Sequence, residues 1–211
     1  VEEIRCVCFD VGGVLLRIRR TWDEVVDDLD WQRRGTIGPL DRIPAFNAFQ
    51  SGLIDYKQYC HELAVFLGGL SAQQADVAHR SILKEAYPGY PKLLSELAGR
   101  GLLIGCLSNT NEPHWERFFN GKLEEMERYF SVRVASHEVE VNKPNIAMFE
   151  AFESEAEFSG PEIAYFDDTE ENVVAANTMG WRAFLVDPLG SPAELVRDSL
   201  ESLGVFGARD S

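Results

Sequence analysis

The stretch IRCVCFDVGGVL, residues 4–15, decides the fold of this chain. A short apolar run rich in β-forming residues ends at Asp10 and is followed closely by two glycines, which is the pattern of a buried parallel strand. In an open parallel α/β sheet, ligand-binding groups lie just beyond the carboxyl ends of the strands. The carboxylate of Asp10 is therefore predicted to stand at a ligand-binding edge.

Strand and helix patterns alternate through the second half of the chain. Further apolar runs are LLIGCL, which ends at Ser108, FSVRVAS, EIAYF, which ends at Asp167, and WRAFLV, which ends at Asp187. Helix patterns separate them; one stops at Gly180, and Ser191 with Glu194 predicts a capping box for the last. This alternation predicts right-handed crossovers and an α/β fold with a doubly wound parallel (Rossmann-like) sheet.

Residues 17–85 interrupt the alternation, because they contain helical patterns and no convincing strand. The candidate helices lie in TWDEVVDDLDW, IPAFNAFQ, DYKQYCHELAVFL and SAQQADVAHRSIL. Asp55 is the predicted N-cap of the third helix, and Ser71 with Gln74 forms a capping box for the fourth. The sequence thus predicts an α/β core of residues 1–16 and 86–211, with a small inserted α-helical cap of residues 17–85.

Composition excludes several kinds of partner. The chain has 211 residues and a formal net charge of −15, so nucleic acid and anionic membrane surfaces are not expected partners. The four cysteines fall in apolar segments and are interpreted as reduced thiols of the core. Neither a signal peptide nor an apolar run of transmembrane length is recognised, so a soluble, cytoplasmic protein is expected.

Four short motifs supply the chemistry: Asp10, then Ser108-Asn109, then Lys143-Pro144, then Asp167-Asp168. A carboxylate is a weak nucleophile in water, but it can attack phosphorus when a metal holds the phosphoryl group and screens its charge. Two adjacent carboxylates repel each other unless a cation lies beside them. Each motif alone has an ordinary structural explanation, such as a turn, a solvated lysine or an acidic helix start.

In this order, the four motifs resemble the haloacid dehalogenase-like hydrolase superfamily, whose members are mostly Mg²⁺-dependent phosphatases. The DxGGVL first motif and the helical insertion resemble its helical-cap subgroup, particularly α-D-glucose-1-phosphatase-like members. The resemblance implies that Asp10 is the nucleophile and that Lys143 neutralises both Asp10 and the transferring phosphoryl group. It also implies that Ser108 and Asn109, together with Lys143, bind the phosphate.

The resemblance implies Mg²⁺ as the cofactor as well. The expected ligands are Asp10, the backbone carbonyl of Gly12 and Asp168, with Asp167 either a further ligand or a support for the others. Asn172, one turn into the following helix, would orient one of these carboxylates. Hard oxygen donors of this kind suit Mg²⁺.

The chain departs from the family pattern at Gly12, where most of these phosphatases carry a second aspartate that serves as general acid and base. It is then a phosphatase that has its acid elsewhere or uses substrates whose leaving groups need little protonation, a 2-haloacid dehalogenase, or a catalytically weak phosphometabolite-binding or regulatory protein. The acidic pair argues against a dehalogenase, whose chemistry uses no metal. His114 is the candidate substitute acid, and the alternative is a surface histidine at a helix start.

The sequence therefore predicts hydrolysis of a small phosphomonoester, a sugar phosphate or similar metabolite, through an aspartyl-phosphate intermediate. The residues at the beginning of the insertion either meet the substrate or form a solvated linker; they are Arg17, Arg19, Arg20 and Trp22.

Overall fold

The computed structural model describes residues 3–32 and 35–206. These residues form a parallel sheet flanked by helices, together with a helical insertion. The strands are β1 (Cys6–Phe9), β2 (Leu16–Ile18), β3 (Leu83–Ala86), β4 (Leu103–Ser108), β5 (Val132–Ala135), β6 (Ile163–Asp167) and β7 (Arg182–Leu185). The α-helices are α1 (Trp22–Asp28), α2 (Pro44–Gln50), α3 (Tyr56–Phe66), α4 (Ala72–Arg80), α5 (Tyr90–Gly99), α6 (Glu112–Arg117), α7 (Ser136–Val139), α8 (Ile146–Ala156), α9 (Glu170–Thr178) and α10 (Pro192–Ser202).

The central sheet has the strand order β5-β4-β1-β6-β7, and all its neighbouring strands are parallel. The predicted α/β fold class with a doubly wound parallel sheet is thereby confirmed. β1 lies in the middle, between β4 and β6, and its four residues are fully buried. This position brings the carboxyl ends of β1, β4 and β6 to one edge of the sheet.

Alternate residues of β1 pack into different layers of the core, as the period of a strand requires. Val7 and Phe9 belong to one apolar cluster, and Cys6 and Cys8 belong to another that includes Phe149 of α8. All four cysteines are buried and free, so the prediction of core thiols is confirmed. Burial raises the pKa of Cys6 to about 12, which keeps its thiol neutral.

The insertion has an apolar cluster of its own, which includes the fully buried Trp22, Tyr59 and Leu63. Two predicted helix starts are confirmed. The Asp55 side chain accepts a hydrogen bond from the Gln58 amide, and Ser71 and Gln74 form a reciprocal capping box at α4.

Two predictions about local structure were wrong. The segment predicted to lack strands begins and ends in an antiparallel ribbon, in which β2 pairs with β3 across both predicted boundaries of the insertion. The two strands, LRI and LKEA, mix charged with apolar side chains, so neither forms the apolar run that indicated β1. At α10, Ser191 makes no side-chain cap, because its ψ of 80° departs from the extended backbone that the Ser71 cap adopts at 158°.

Within residues 3–32 and 35–206, no helix combines the length and the apolar character needed to cross a membrane.

Candidate active site

Three strand ends bring the predicted functional residues together. Asp10 follows β1 directly, Ser108 ends β4 and Asp167 ends β6. The register places Phe9 beside Cys106 and Phe166, and the Asp10 amide donates a hydrogen bond to the Phe166 carbonyl at 2.8 Å. Carboxylate oxygens of Asp10, Asp167 and Asp168 all lie within 4.8 Å of one another.

Lys143 is the cation at the centre of this cluster. Its Nζ donates hydrogen bonds to Asp10 Oδ1 at 2.9 Å and to Asp167 Oδ2 at 2.7 Å. It also donates to the Leu107 carbonyl at 2.7 Å and contacts the Tyr165 hydroxyl at 3.0 Å. Burial alone would lower the pKa of Lys143, but the Asp10 and Asp167 carboxylates raise it above its usual value, so the ammonium stays charged.

Asn109 fixes the backbone of Lys143. The Asn109 side chain accepts a hydrogen bond from the Lys143 amide at 2.7 Å and donates one to the Lys143 carbonyl at 3.0 Å. Both ends of the Asn109 amide are therefore used to position the lysine. The hydroxyl-bearing neighbour, Ser108, is 2% exposed and lines the same cavity as Asp10 and Lys143.

Asp167 is surrounded by hydrogen-bond donors. Its carboxylate accepts from Lys143 Nζ, the Tyr165 hydroxyl, the Thr169 amide and Asn172 Nδ2. Although burial opposes the charge, Lys143 and these hydrogen bonds lower the pKa of Asp167, which keeps it ionised. Sequence reasoning had not named Tyr165, although it lies two residues before Asp167 on β6 and so shares its face of the strand.

Asp168 faces a different cation, the Arg20 guanidinium from the beginning of the insertion. Arg20 Nη2 donates a hydrogen bond to Asp168 Oδ2, and the two side chains are 46% and 4% exposed. Burial raises the pKa of Asp168, while Arg20 works in the opposite direction. Gly13, with a φ of 90°, leaves room for this contact, since a Cβ there would lie 2.1 Å from Asp168 Oδ2.

Asp10 is the least stable carboxylate in its charged form. Burial raises its pKa to about 7; Lys143 opposes this rise, and Asp167 and Asp168 add to it. A divalent cation among the three acidic residues would supply the missing positive charge. Carboxylate oxygens at this separation are the donor set that Mg²⁺ prefers, so the residues present fit the predicted cofactor.

His114 is buried rather than exposed, so the alternative of a surface histidine was wrong. Its ring stacks on His79 of α4 with centroids 4.0 Å apart. Its Nε2 bonds to the His79 carbonyl at 3.0 Å, and its Nδ1 lies 3.4 Å from Asn111 Nδ2. Both ring nitrogens therefore have protein partners. Burial lowers the pKa of His114 to about 4, so its imidazole is neutral at physiological pH.

The insertion lies against this edge of the core through several hydrogen bonds. Gln50 of α2 donates to the Asn109 carbonyl at 3.3 Å, and the Ser136 hydroxyl bonds to the Gln50 carbonyl at 2.6 Å. His79 Nε2 contacts Asn111 Oδ1 at 3.0 Å. Sequence reasoning missed Gln50, Ser136 and His79, because their role depends on how two distant segments pack.

The four residues singled out at the start of the insertion make different contacts. Arg20 reaches the carboxylates, whereas Trp22 is fully buried in the insertion. Arg19 pairs with Asp28, and Arg17 pairs with Glu85. Of these four, Arg20 is the one that lines the cavity above Asp10.

An open parallel sheet that carries acidic residues and a lysine at the carboxyl ends of its strands is the arrangement predicted for a metal-assisted hydrolase. The family model of haloacid dehalogenase-like hydrolases matches residues 4–180, and the chain belongs to this family. The predicted family membership, and with it the prediction of an enzyme, is confirmed.

Three similar proteins cover most of the chain. A sesquiterpene phosphatase of Aspergillus oryzae is 26% identical over 197 residues, which are 90% of this chain and 94% of that protein. A phosphatase of Mycobacterium tuberculosis is 26% identical over 217 residues and covers 97% of both chains. A haloacid dehalogenase family enzyme from Bacteroides thetaiotaomicron, solved with magnesium and inorganic phosphate, has a TM-score of 0.75 and 24% identity, covering 91% of this chain and 98% of its own.

Proposed function

We propose that the protein is a Mg²⁺-dependent phosphatase that transfers the phosphoryl group of a small phosphomonoester to Asp10 and then to water. The observation that carries this proposal is the bridge from Lys143 Nζ to Asp10 Oδ1 and Asp167 Oδ2 beside the Asp168 carboxylate. The similarity to two proteins that are named as phosphatases supports the proposal.

Asp10, the Gly12 carbonyl and Asp168 would hold the Mg²⁺. When bound, the ion polarises the phosphoryl group and screens its negative charge from the carboxylate. Asp167 would position this set without being a ligand itself, because four donors already engage its two oxygens. Tyr165 and Asn172 thus act on the site through Asp167.

In the first step, Lys143 orients Asp10 through Oδ1, and the second oxygen of Asp10 attacks phosphorus. The new O–P bond forms as the ester O–P bond breaks, and the leaving oxygen takes a proton from solvent. Water then attacks phosphorus and loses a proton to solvent, the O–P bond to Asp10 breaks, and inorganic phosphate leaves with the carboxylate restored. Ser108 would grip a phosphoryl oxygen, whereas the Asn109 side chain is used to hold Lys143.

His114 is poorly suited to replace the missing aspartate at position 12. At physiological pH its ring is neutral and both nitrogens are hydrogen-bonded to the protein, so it lacks the acidic imidazolium proton that a general acid donates. We therefore propose that the leaving group departs without a dedicated protein acid. The insertion of residues 17–85 would act as a cap, since Gln50 and Arg20 close over the same cavity.

Asp10→Asn tests the proposal, because an amide of nearly the same shape cannot attack phosphorus. With p-nitrophenyl phosphate and Mg²⁺, the variant should lose at least about 99% of the rate, in line with the 10²–10⁴-fold that a single catalytic group commonly contributes. Its circular dichroism should be unchanged. EDTA should abolish wild-type activity, and Mg²⁺ should restore it.

Three other results would each point elsewhere. A folded Asp10→Asn variant with wild-type turnover removes Asp10 from the nucleophilic role. Halide release from 2-haloacids by EDTA-treated protein would favour the dehalogenase. Binding of inorganic phosphate without turnover of any ester would favour the alternative of a catalytically weak phosphometabolite-binding protein.

A further inference from the structure

The cavity above Asp10 has an apolar half that the phosphoryl chemistry does not use. Its volume is about 180 Å³, and its floor holds the carboxylates, Ser108 and Lys143. Polar residues share the remaining walls with six apolar side chains, which come from the β2–β3 ribbon, the insertion and the segment after α6. They are Ile18, Leu40, Phe46, Ile82, Leu83 and Phe118.

The polar side chains in these walls are largely engaged with the protein. Gln50 donates to the Asn109 carbonyl, and both nitrogens of His114 are hydrogen-bonded. Arg20 is paired with Asp168. Among the fully buried side-chain oxygen and nitrogen atoms of this lining, the Thr110 hydroxyl is the one without a hydrogen-bond partner.

A sugar in this space would bury several hydroxyls against hydrocarbon. Each hydroxyl taken from water without a hydrogen-bond partner costs free energy. An apolar group of the same size would bury its surface against Ile18, Phe46 and Ile82 and gain affinity from the hydrophobic effect.

The volume sets the size of that group. A cavity of roughly 150 Å³ lined by aliphatic and aromatic side chains holds one benzene molecule. The 180 Å³ of this cavity must hold the phosphoryl group as well, so the space that remains suits a compact chain or ring rather than a long lipid tail.

We propose that the substrate is the phosphate monoester of a compact apolar alcohol, such as a branched five-carbon chain. This inference rests on the proposed phosphatase function and narrows it, because it replaces the sugar phosphate that the sequence suggested. Ile18, at the edge of β2, is a specificity-determining residue of the apolar half, because its side chain lies 3.2 Å from the position of a Cβ on Gly12.

The test compares primary alkyl phosphates, whose leaving groups are chemically alike: 3-methylbutyl phosphate, glucose 6-phosphate and glycerol 3-phosphate. We expect kcat/KM to be at least about 10-fold higher for 3-methylbutyl phosphate, the discrimination available from a single well-packed methylene group. 3-Methylbutylphosphonate should likewise inhibit more strongly than methylphosphonate, which measures binding without turnover.

Ile18→Thr keeps the branch at Cβ, but it removes the δ-methyl group and places a hydroxyl on the wall. It should raise KM for 3-methylbutyl phosphate several-fold and leave inhibition by inorganic phosphate unchanged. Thr110→Val, which removes the unpartnered hydroxyl, should leave 3-methylbutyl phosphate turnover equal or faster. Val65→Thr is the matched control, because Val65 is 65% exposed on α3.

The outcomes separate the two proposals. Hydrolysis of p-nitrophenyl phosphate with a preference for glucose 6-phosphate or glycerol 3-phosphate would overturn the apolar substrate and leave the phosphatase standing. Failure to hydrolyse any ester, p-nitrophenyl phosphate included, would overturn the phosphatase and this inference with it. Equal KM values in wild type and Ile18→Thr would remove Ile18 from its role.

Discussion

Arg20 is the residue through which the insertion reaches the carboxylates. Its guanidinium donates a hydrogen bond to the carboxylate of Asp168, a proposed ligand of Mg²⁺. The arginine and the ion therefore compete for this carboxylate. Arg20→Met should therefore tighten Mg²⁺ binding to the free protein by about 3- to 10-fold, the effect of removing an ion pair worth about 1 kcal/mol. Isothermal titration calorimetry with MgCl₂ measures this affinity.

Arg5→Met provides the control for Arg20. It removes the same charge from a more exposed ion pair, with Glu162, that lies outside the cavity above Asp10. Its effect on Mg²⁺ affinity should be small. Affinity that falls in Arg20→Met, or that rises equally in both variants, would show that the arginine does not compete with the ion.

Gly12 is a second residue that affects catalysis, because it offers no side chain that could act as general acid or base. Without a carboxyl group there, rate should depend steeply on the acidity of the leaving alcohol, and an activated aryl phosphate should give a pre-steady-state burst. General acid–base help is worth about 10²–10⁴-fold, so its absence slows release of phosphate from Asp10. Rapid-quench kinetics over a series of aryl phosphates tests both points.

Gly12→Asp should shrink the burst and accelerate alkyl substrates more than aryl ones. Gly12 is outside the positive-φ region, so its backbone suits an L-residue, but an added Cβ would lie 3.2 Å from Ile18 Cδ1 and Ile18 must shift slightly to accept it. Gly13→Ala is the contrasting variant, because it places a Cβ against Asp168 and Arg20 at a φ of 90°. A flat leaving-group dependence in the wild type would mean that another group supplies the proton.

At the scale of elements, α4 and α6 are joined by the stacked rings of His79 and His114. His114 keeps a pKa of about 4 because burial disfavours its charge, and burial also holds the pKa of His79 well below its usual value. Both rings are neutral in the folded protein, but they take up protons near pH 6.5 when unfolded. Stability is therefore unaffected above about pH 6.5 and falls as the pH drops towards 4.

His114 alone should account for about 3 kcal/mol of this loss across the whole window. His114→Gln, which does not titrate, should show a smaller loss of unfolding free energy between pH 7.5 and 5 in urea titrations. His61→Gln, at an exposed position of α3, should retain the wild-type pH dependence. The same slope in wild type and His114→Gln would contradict the assignment.

At the scale of the molecule, the sequence correctly predicted which site residues lie at the ends of the parallel strands. Asp10, Ser108 and Asp167 each close an apolar run, and parallel pairing then brings them to one edge without further information. The β2–β3 ribbon was missed, because each strand is very short and its partner lies at the other end of the insertion. The surroundings of His114 were missed as well, because the ring that stacks on it comes from α4, and such packing leaves no trace in local patterns.

The central place of β1 has a consequence for how the protein folds. Cys6 pairs with Leu103 on one side and with Ile163 on the other, so this strand cannot be paired on both sides until residues as far as Ile163 have been synthesised. Pairings this distant carry a large loop-closure entropy and slow folding. The insertion has its own apolar cluster, so it can become compact during synthesis, before β1 has paired with β4 and β6. Asp10 precedes β4 and β6 in the chain, so its surroundings are complete only after both of these strands have paired with β1.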